Sequence, residues 1–319
     1  MIIEDGYRAN PVRTFMKAQL SRFPKIYEML LQRSKVRRDR NLAPRIREHI
    51  AYLEAQDQLP LFTQIHIETI SRCNGGCSFC PVNRFDDPRP TERMKESLFH
   101  SIIDQLAAVE YTGLVYFQLN NEPLLDKRLY DFIDYARSRL PRAFLSVWTN
   151  GTALNLDKFR RLVTALDSLV IDNYNDALVL NPPVQEIHDF CLANPDWGRK
   201  LRIKYRRENE MLDTRASGAP NRGYIETLAS PCLYPFKQIN VRPDGKISLC
   251  CNDALGAMTL GDLSTASILD VWHGQSYDDI RKTLRDGRKG IDICEGCDTL
   301  HCPSGKPGGQ AKVGEAAEV

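Results

Sequence analysis

The sequence predicts an α/β protein in which parallel strands alternate with crossover helices, followed by a smaller cysteine-bearing unit. Three observations carry this. Apolar runs of strand length recur between amphipathic stretches of helical period from residue 61 to residue 205. Short polar strings, NNEP, TNG and DNYN, each follow such a run. Nine of the ten cysteines fall into two groups, one near the start of this alternation and one after it.

The elements follow in order. Residues 13–57 read as helical, because Phe15, Leu20, Tyr27, Leu30 and Leu31 recur at helical intervals, with KVRRDR as a solvated basic face. Residues 61–70 alternate (FTQIHIETI within them) and read as a strand leading to Cys73. Helices are expected over 94–109, 130–139 and 156–166, and strands over 114–119, 144–148, 168–171 and 201–205. Parallel strands of this kind join through right-handed crossovers and gather ligands at their carboxyl ends. The three polar strings lie at those ends. Residues 206–230 are polar and punctuated by Gly and Pro, so a linker or substrate loop is expected there. A hairpin with a Pro-Asp-Gly turn follows in FKQINVRPDGKISLCC, then a helix over 267–286 and the knuckle CEGCDTLHC. The expected division is an N-terminal helical segment (1–60), a core domain (61–230), a cysteine-bearing domain (231–303) and a disordered tail (304–319).

Composition narrows the function. Net charge is +2, which gives no electrostatic case for nucleic acid or a membrane surface. No run is long and apolar enough to span a bilayer, and residues 1–15 do not read as a secretory signal. A cytoplasmic location is therefore expected, where clustered thiols point to metal rather than disulfides. Cys191 stands alone and reads as a buried, inert thiol.

The string Cys73-Asn-Gly-Gly-Cys77-Ser-Phe-Cys80-Pro presents three thiolates within eight residues. Three ligands suit three irons of a 4Fe–4S cube and leave the fourth open to a group with an amine beside a carboxylate. The two glycines would permit left-handed turns around a cluster, and Phe79 could stack on a flat ring. A zinc site is the alternative, though it usually brings four ligands.

The CxxxCxxC spacing after a first strand resembles the radical S-adenosylmethionine (SAM) superfamily. The resemblance implies a partial (β/α)6 TIM-like barrel and reductive cleavage of S-adenosylmethionine to a 5′-deoxyadenosyl radical that abstracts a hydrogen atom. It implies that Cys73, Cys77 and Cys80 hold the cluster. Asn120, Asn121, Glu122 and Pro123 stand where the family has Gly-Gly-Glu-Pro, which meets the methionine amine. Asn150 resembles a position near ribose or substrate. Asp172 and Asn173 could reach the ribose hydroxyls, or simply cap a strand end.

The segment SPCLYPFKQINVRPDGKISLCCND, with LGDL and VWHG after it, resembles the auxiliary-cluster extension called SPASM, or its short form, twitch. The resemblance implies one auxiliary 4Fe–4S cluster on Cys232, Cys250, Cys294 and Cys297, with a zinc knuckle as the alternative. Cys251 and Cys302 are left over, either as alternative ligands or buried residues. A thiol at Cys251 could return a hydrogen atom to a carbon radical. Aminoglycoside-tailoring members of the family include epimerases and dehydrogenases, and the spare Cys251 tilts the expectation to an epimerase acting on an aminoglycoside. A dehydrogenase of an aminocyclitol or sugar alcohol is the first alternative and a peptide maturase the second. The resemblance also implies a flavodoxin- or ferredoxin-type reductant. Glu68, Asp172 and Asp253 are candidate partners for substrate ammonium groups.

Overall fold

A computed structural model describes residues 1–7, 16, 19, 20, 22–223 and 226–300. The expected tail and Cys302 lie outside the described residues, as does Phe15. Nine strands form one sheet in the order β1-β6-β5-β4-β3-β2-β7-β8-β9. They are β1 (Ile2–Glu4), β2 (Gln64–Ile67), β3 (Leu114–Tyr116), β4 (Phe144–Thr149), β5 (Ser168–Tyr174), β6 (Leu201–Arg206), β7 (Gln238–Val241), β8 (Lys246–Ser248) and β9 (Thr259–Asp262). All neighbours from β1 through β7 pair parallel, whereas β7–β8 and β8–β9 pair antiparallel. This is the α/β architecture that the sequence predicted, a partial barrel with the C-terminal strands added at one edge.

Four crossover helices connect β2 to β6: α2 (Glu96–Ala108), α3 (Leu129–Arg139), α4 (Leu156–Ala165) and α5 (Pro182–Ala193). The long α1 (Pro24–Glu54) precedes them. After β6 come α6 (Tyr234–Lys237), α7 (Ile268–Trp272), α8 (Gln275–Leu284) and α9 (Asp292–Glu295). Local chemistry sets their limits. Asn155 caps α4 by accepting from the Lys158 N–H, and Ser267 caps α7 by accepting from the Asp270 N–H. One face of α4 buries Phe159, Leu162 and Val163, each worth about 1.5–3 kcal/mol.

Alternation along the strands divides the sheet. Ile65, Ile67, Val115, Leu145, Val147, Leu169, Ile171, Leu201, Ile203, Ile239 and Val241 pack against the helices in one core. The opposite residues, including His66, Tyr116, Trp148, Asp172 and Lys204, line the inner face. There the His66 and Tyr116 rings stack at 4.6 Å, and Lys204 Nζ lies 4.4 Å from the Trp148 ring centre. An inner face so rich in polar and aromatic groups is suited to a ligand rather than to closure on itself.

Several expectations change in detail. Residues 1–60 contain a strand, since β1 pairs with β6 and adds a parallel strand at the edge of the sheet. Three residues carry too little pattern to read as a strand. β5 runs on to Tyr174, so Asp172 and Asn173 lie within the strand rather than after it. The helix expected over 267–286 is broken at His273 and Gly274 into α7 and α8. The Pro-Asp-Gly hairpin forms as expected, with Gly245 at φ +90° and its N–H bonded to the Arg242 carbonyl.

Candidate active site

The first cysteine loop leaves β2 at the carboxyl end of the sheet. The Cys80 N–H donates to the Cys77 carbonyl (3.1 Å), and the Gly75 N–H points at Cys73 Sγ (3.3 Å). Neither Gly75 nor Gly76 adopts a left-handed φ, which corrects that expectation. Gly75 matters for room instead, because a Cβ there would lie 3.4 Å from Cys73 Sγ. Burial pushes the Cys73 thiol up to about 12, and it pushes Cys77 up further, with the neighbouring thiols adding to the effect. Free thiolates are thus disfavoured here unless a cation compensates them.

NNEP and TNG meet beside this loop. Glu122 is buried, and its carboxylate accepts from the Leu124 N–H (3.1 Å), the Thr149 hydroxyl (2.6 Å) and the Asn150 N–H (2.7 Å). Burial raises its pKa, against the pull of these three donors. Asn150 donates to Asn74 Oδ1 (2.7 Å) in the cysteine loop and accepts from Thr152. The side chains of Glu122 and Asn150 therefore tie two strand ends to the loop. Asn120 and Asn121 each keep a buried amide Nδ2 without a protein partner, while the Asn120 carbonyl accepts from Arg89 (2.8 Å). Phe79 is buried with its ring 6.0 Å from that of Tyr174.

The β5 residues behave differently. Asp172 lies 3.8 Å from Arg206, and one of its carboxylate oxygens is buried with no hydrogen-bond partner. Burial raises its pKa. Asn173 is fully buried and staples the following loop, donating to the Val179 carbonyl (2.9 Å) and accepting from the Asn181 N–H (2.8 Å). It caps rather than reaching toward a ribose. Glu68 pairs with Arg89 (2.9 Å), and Asp253 accepts from the Ala257 and Met258 N–H groups (2.7 and 3.1 Å). Neither carboxylate is left for a substrate ammonium group.

The second cysteine group encloses a cavity. Cys232, Cys250, Cys294 and Cys297 line it together with Tyr234, Leu249, Arg288 and Ala216. All four cysteines are buried. Among the described residues no three His, Cys, Asp or Glu side chains converge as a single ion requires. Four buried thiols around one cavity are a donor set suited to an iron–sulfur cluster. Arg288 donates to the Cys297 carbonyl (2.9 Å) and offsets part of the thiolate charge. Cys251 is not in the cavity wall. Burial raises its pKa, while the Arg215 charge and the neighbouring Gln238 and Tyr234 side chains lower it. Cys191 is buried in the core on α5, as its isolation suggested.

Arg215 was missed in the sequence, inside a stretch read as a linker. It is half-buried with its Nε buried, and the neighbouring Asp213 carboxylate favours its charge against the cost of burial. It donates to Asn120 Oδ1, while its Nε has no protein partner. Arg215, Ala216 and Ser217 have φ of 47°, 52° and 69°, a strained left-handed run of non-glycine residues. Arg215 lies within electrostatic reach of Cys80 and Cys251, and Ala216 lines the second cavity. No sequence signal sets Arg215 apart from Arg206, Arg207 and Arg222 in the same stretch.

A parallel sheet with three cysteines at its carboxyl end and a four-cysteine cavity beside it defines an iron–sulfur enzyme with two centres. Comparison with known proteins gives the family. Residues 67–174 match the radical SAM superfamily, and residues 232–298 match SPASM, the iron–sulfur cluster-binding domain. The chain belongs to the radical SAM superfamily, carries a SPASM domain, and uses 4Fe–4S clusters and S-adenosylmethionine. One relative is the S-adenosyl-L-methionine-dependent 2-deoxy-scyllo-inosamine dehydrogenase of Niallia circulans, 26% identical over 243 residues, covering 75% of this chain and 94% of its own. Among solved structures the fold is similar to BtrN in complex with AdoMet and 2-DOIA (TM-score 0.65, 24% identity, 76% of this chain and 94% of that one). It is also similar to BtrN in an open conformation (TM-score 0.57, 23% identity, 76% and 94%). Among the described residues no helix is long and apolar enough to cross a membrane.

Proposed function

We propose that this radical SAM enzyme oxidises a secondary alcohol of a small polyhydroxylated ring, an aminocyclitol or sugar alcohol, to the ketone. Cys73, Cys77 and Cys80 would hold the cluster that with S-adenosylmethionine would supply a 5′-deoxyadenosyl radical, and Cys232, Cys250, Cys294 and Cys297 would hold an auxiliary cluster that would supply an electron acceptor. The chain's own residues bind and orient. Phe79, Asn120, Asn121, Asn150 and Asp172 would surround S-adenosylmethionine, with Asn120 and Asn121 offering free amide N–H groups. Glu122 acts one step back, holding the Asn150 backbone and Thr149 in place.

The observation that carries the reading is Arg215. A half-buried, permanently charged guanidinium whose buried Nε–H has no protein partner lies within electrostatic reach of Cys80 and Cys251. It would hold the oxygen of the alcohol whose carbon loses hydrogen, and favour loss of the hydroxyl proton as negative charge develops on that oxygen. The dehydrogenase among the relatives supports this outcome over the epimerisation expected from the spare thiol. Epimerisation stays as the second reading because Cys251 stands outside the cavity wall, on the Arg215 side. A small-molecule substrate and a flavodoxin- or ferredoxin-type reductant belong to both readings.

An anaerobic assay in deuterated water, with a strong reductant, separates them. It would offer 2-deoxy-scyllo-inosamine, related sugar alcohols and a panel of aminoglycosides. A ketone two hydrogens lighter, without deuterium and matched by 5′-deoxyadenosine, supports oxidation. An isomer carrying one deuterium supports epimerisation through the exchangeable Cys251 thiol. Turnover of neither kind with any of these compounds would overturn both in favour of a peptide substrate.

A further inference from the structure

α1 lies outside both matched segments, and so do residues 207–231 after β6. The two meet along one face of the helix. Glu28, Gln32, Lys35 and Asp39 recur at intervals of four, three and four residues, so they form a stripe. Glu28, Gln32 and Asp39 are buried. A buried polar stripe is costly unless its members are paired, and each member here has at least one partner, although one Asp39 oxygen has none.

Glu28 accepts from the Gly223 N–H (2.7 Å) and pairs with Arg222 (3.2 Å). Gln32 donates to the Glu226 carbonyl (2.8 Å). Asp39 accepts from the Ala229 and Ser230 N–H groups (2.8 and 3.1 Å). Lys35 pairs with Asp298 (2.8 Å), which also pairs with Arg222 (2.9 Å). Asp298 directly follows Cys297, and its other oxygen accepts from the Thr214 N–H (2.7 Å). The Thr214 hydroxyl donates to the Gly296 carbonyl (2.6 Å). Beyond Pro44 the stripe turns apolar, and Ile46 and Ile50 pack on Leu233 and Phe236 just after Cys232.

We infer that α1 is a positioning strap for the auxiliary site: through Lys35, Glu28, Arg222 and Asp298 it fixes the Cys297 loop and the left-handed turn that carries Arg215. The inference rests on the reading that Cys232, Cys250, Cys294 and Cys297 hold a cluster. Asp298 is the pivot, because it links the helix, the turn and a ligand-bearing loop with two oxygens. Removing either of its cations leaves a buried carboxylate under-compensated.

The test uses the full chain with Cys73, Cys77 and Cys80 replaced by Ala, reconstituted anaerobically so that only the auxiliary cluster forms. Iron and sulfide per chain, retention against a chelator, the electron paramagnetic resonance spectrum and the reduction potential are read. Groups that orient metal ligands are worth about 10–100-fold in affinity, so Asp298→Ala should lose iron to the chelator at least about 10-fold more readily. Because that variant risks the fold, Lys35→Met and Asp298→Asn are compared with Lys35→Arg. Loss of the Lys35 cation should lower the potential and loss of the Asp298 anion should raise it, while Lys35→Arg stays close to the parent. A merely structural role would not give shifts of opposite sign. Parental retention, spectrum and potential in Asp298→Asn and Lys35→Met would overturn the strap. A parent that takes up no iron would instead sink the cluster reading, and the strap with it.

Discussion

The two cysteine groups are built by opposite strategies. Cys73, Cys77 and Cys80 sit on one loop at the end of β2, with Cys73 and Cys80 partly exposed. Cys232, Cys250, Cys294 and Cys297 come from three separate stretches and meet around an enclosed cavity. The first site is a local device that any chain with this string could nearly form. The second draws its cysteines from before α6, after β8, and on and after α9, so it needs those elements brought together. Openness suits the site where a small molecule must reach iron, and enclosure suits one that only exchanges electrons.

The largest break in this comparison is chemical. Replacing Cys73, Cys77 or Cys80 by Ala should abolish 5′-deoxyadenosine formation while leaving the thermal unfolding midpoint within a few degrees of the parent. Replacing Cys250 by Ala should do the reverse in degree. About half of the iron should be lost, since one of two four-iron clusters goes, and the midpoint should fall clearly because the cavity loses the group that its buried thiols surround. Iron analysis and calorimetry on the same anaerobic samples check both. Equal loss of stability from the two replacements would dissolve the distinction.

The same contrast explains what the sequence could say. CxxxCxxC, NNEP and TNG are contiguous strings whose placement needs only a strand before them, and each lies at a carboxyl strand end as read. The fold class followed from apolar alternation over long stretches, where periodicity is strongest. Arg215 was invisible because its position depends on a left-handed turn held by Thr214 against Asp298, residues far apart in the chain. The stripe on α1 was invisible for a related reason. Glu28, Gln32 and Asp39 look like solvated helix residues until their partners around 222–230 and 298 are in place. Asn173 was open to two roles, and only the loop at 179–181 assigns it one.

Glu122 sharpens the comparison within the first site. It is the one carboxylate that joins NNEP to TNG, with three donors on two oxygens. Glu122→Gln keeps the shape but turns one end of the group into a donor facing donors. A buried bond lost in this way costs about 1–3 kcal/mol. Chemical denaturation should show a loss of that size, accompanied by a raised KM for S-adenosylmethionine. An unchanged KM with the stability lost would confine Glu122 to the scaffold.

The smallest effect lies on the inner face between the two sites. Burial lowers the pKa of His66 to about 4 from an ordinary 6.5, with Lys237 adding to the effect and a hydrogen bond to the Gln118 backbone opposing it. The folded chain therefore holds this ring neutral where the unfolded chain begins to protonate it. Between those two values the unfolded state binds more protons, so stability rises with pH and is lost as pH falls toward the folded value. The contribution is complete above the unfolded pKa. Going from about pH 7.5 to about pH 5.5 should cost about 1 kcal/mol through this ring. His66→Gln should flatten that slope by the same amount, read from unfolding curves at the two pH values. A parent and a variant with the same slope would mean that His66 protonates freely in the folded chain, and that the inner face is wetter than its stacking on Tyr116 implies.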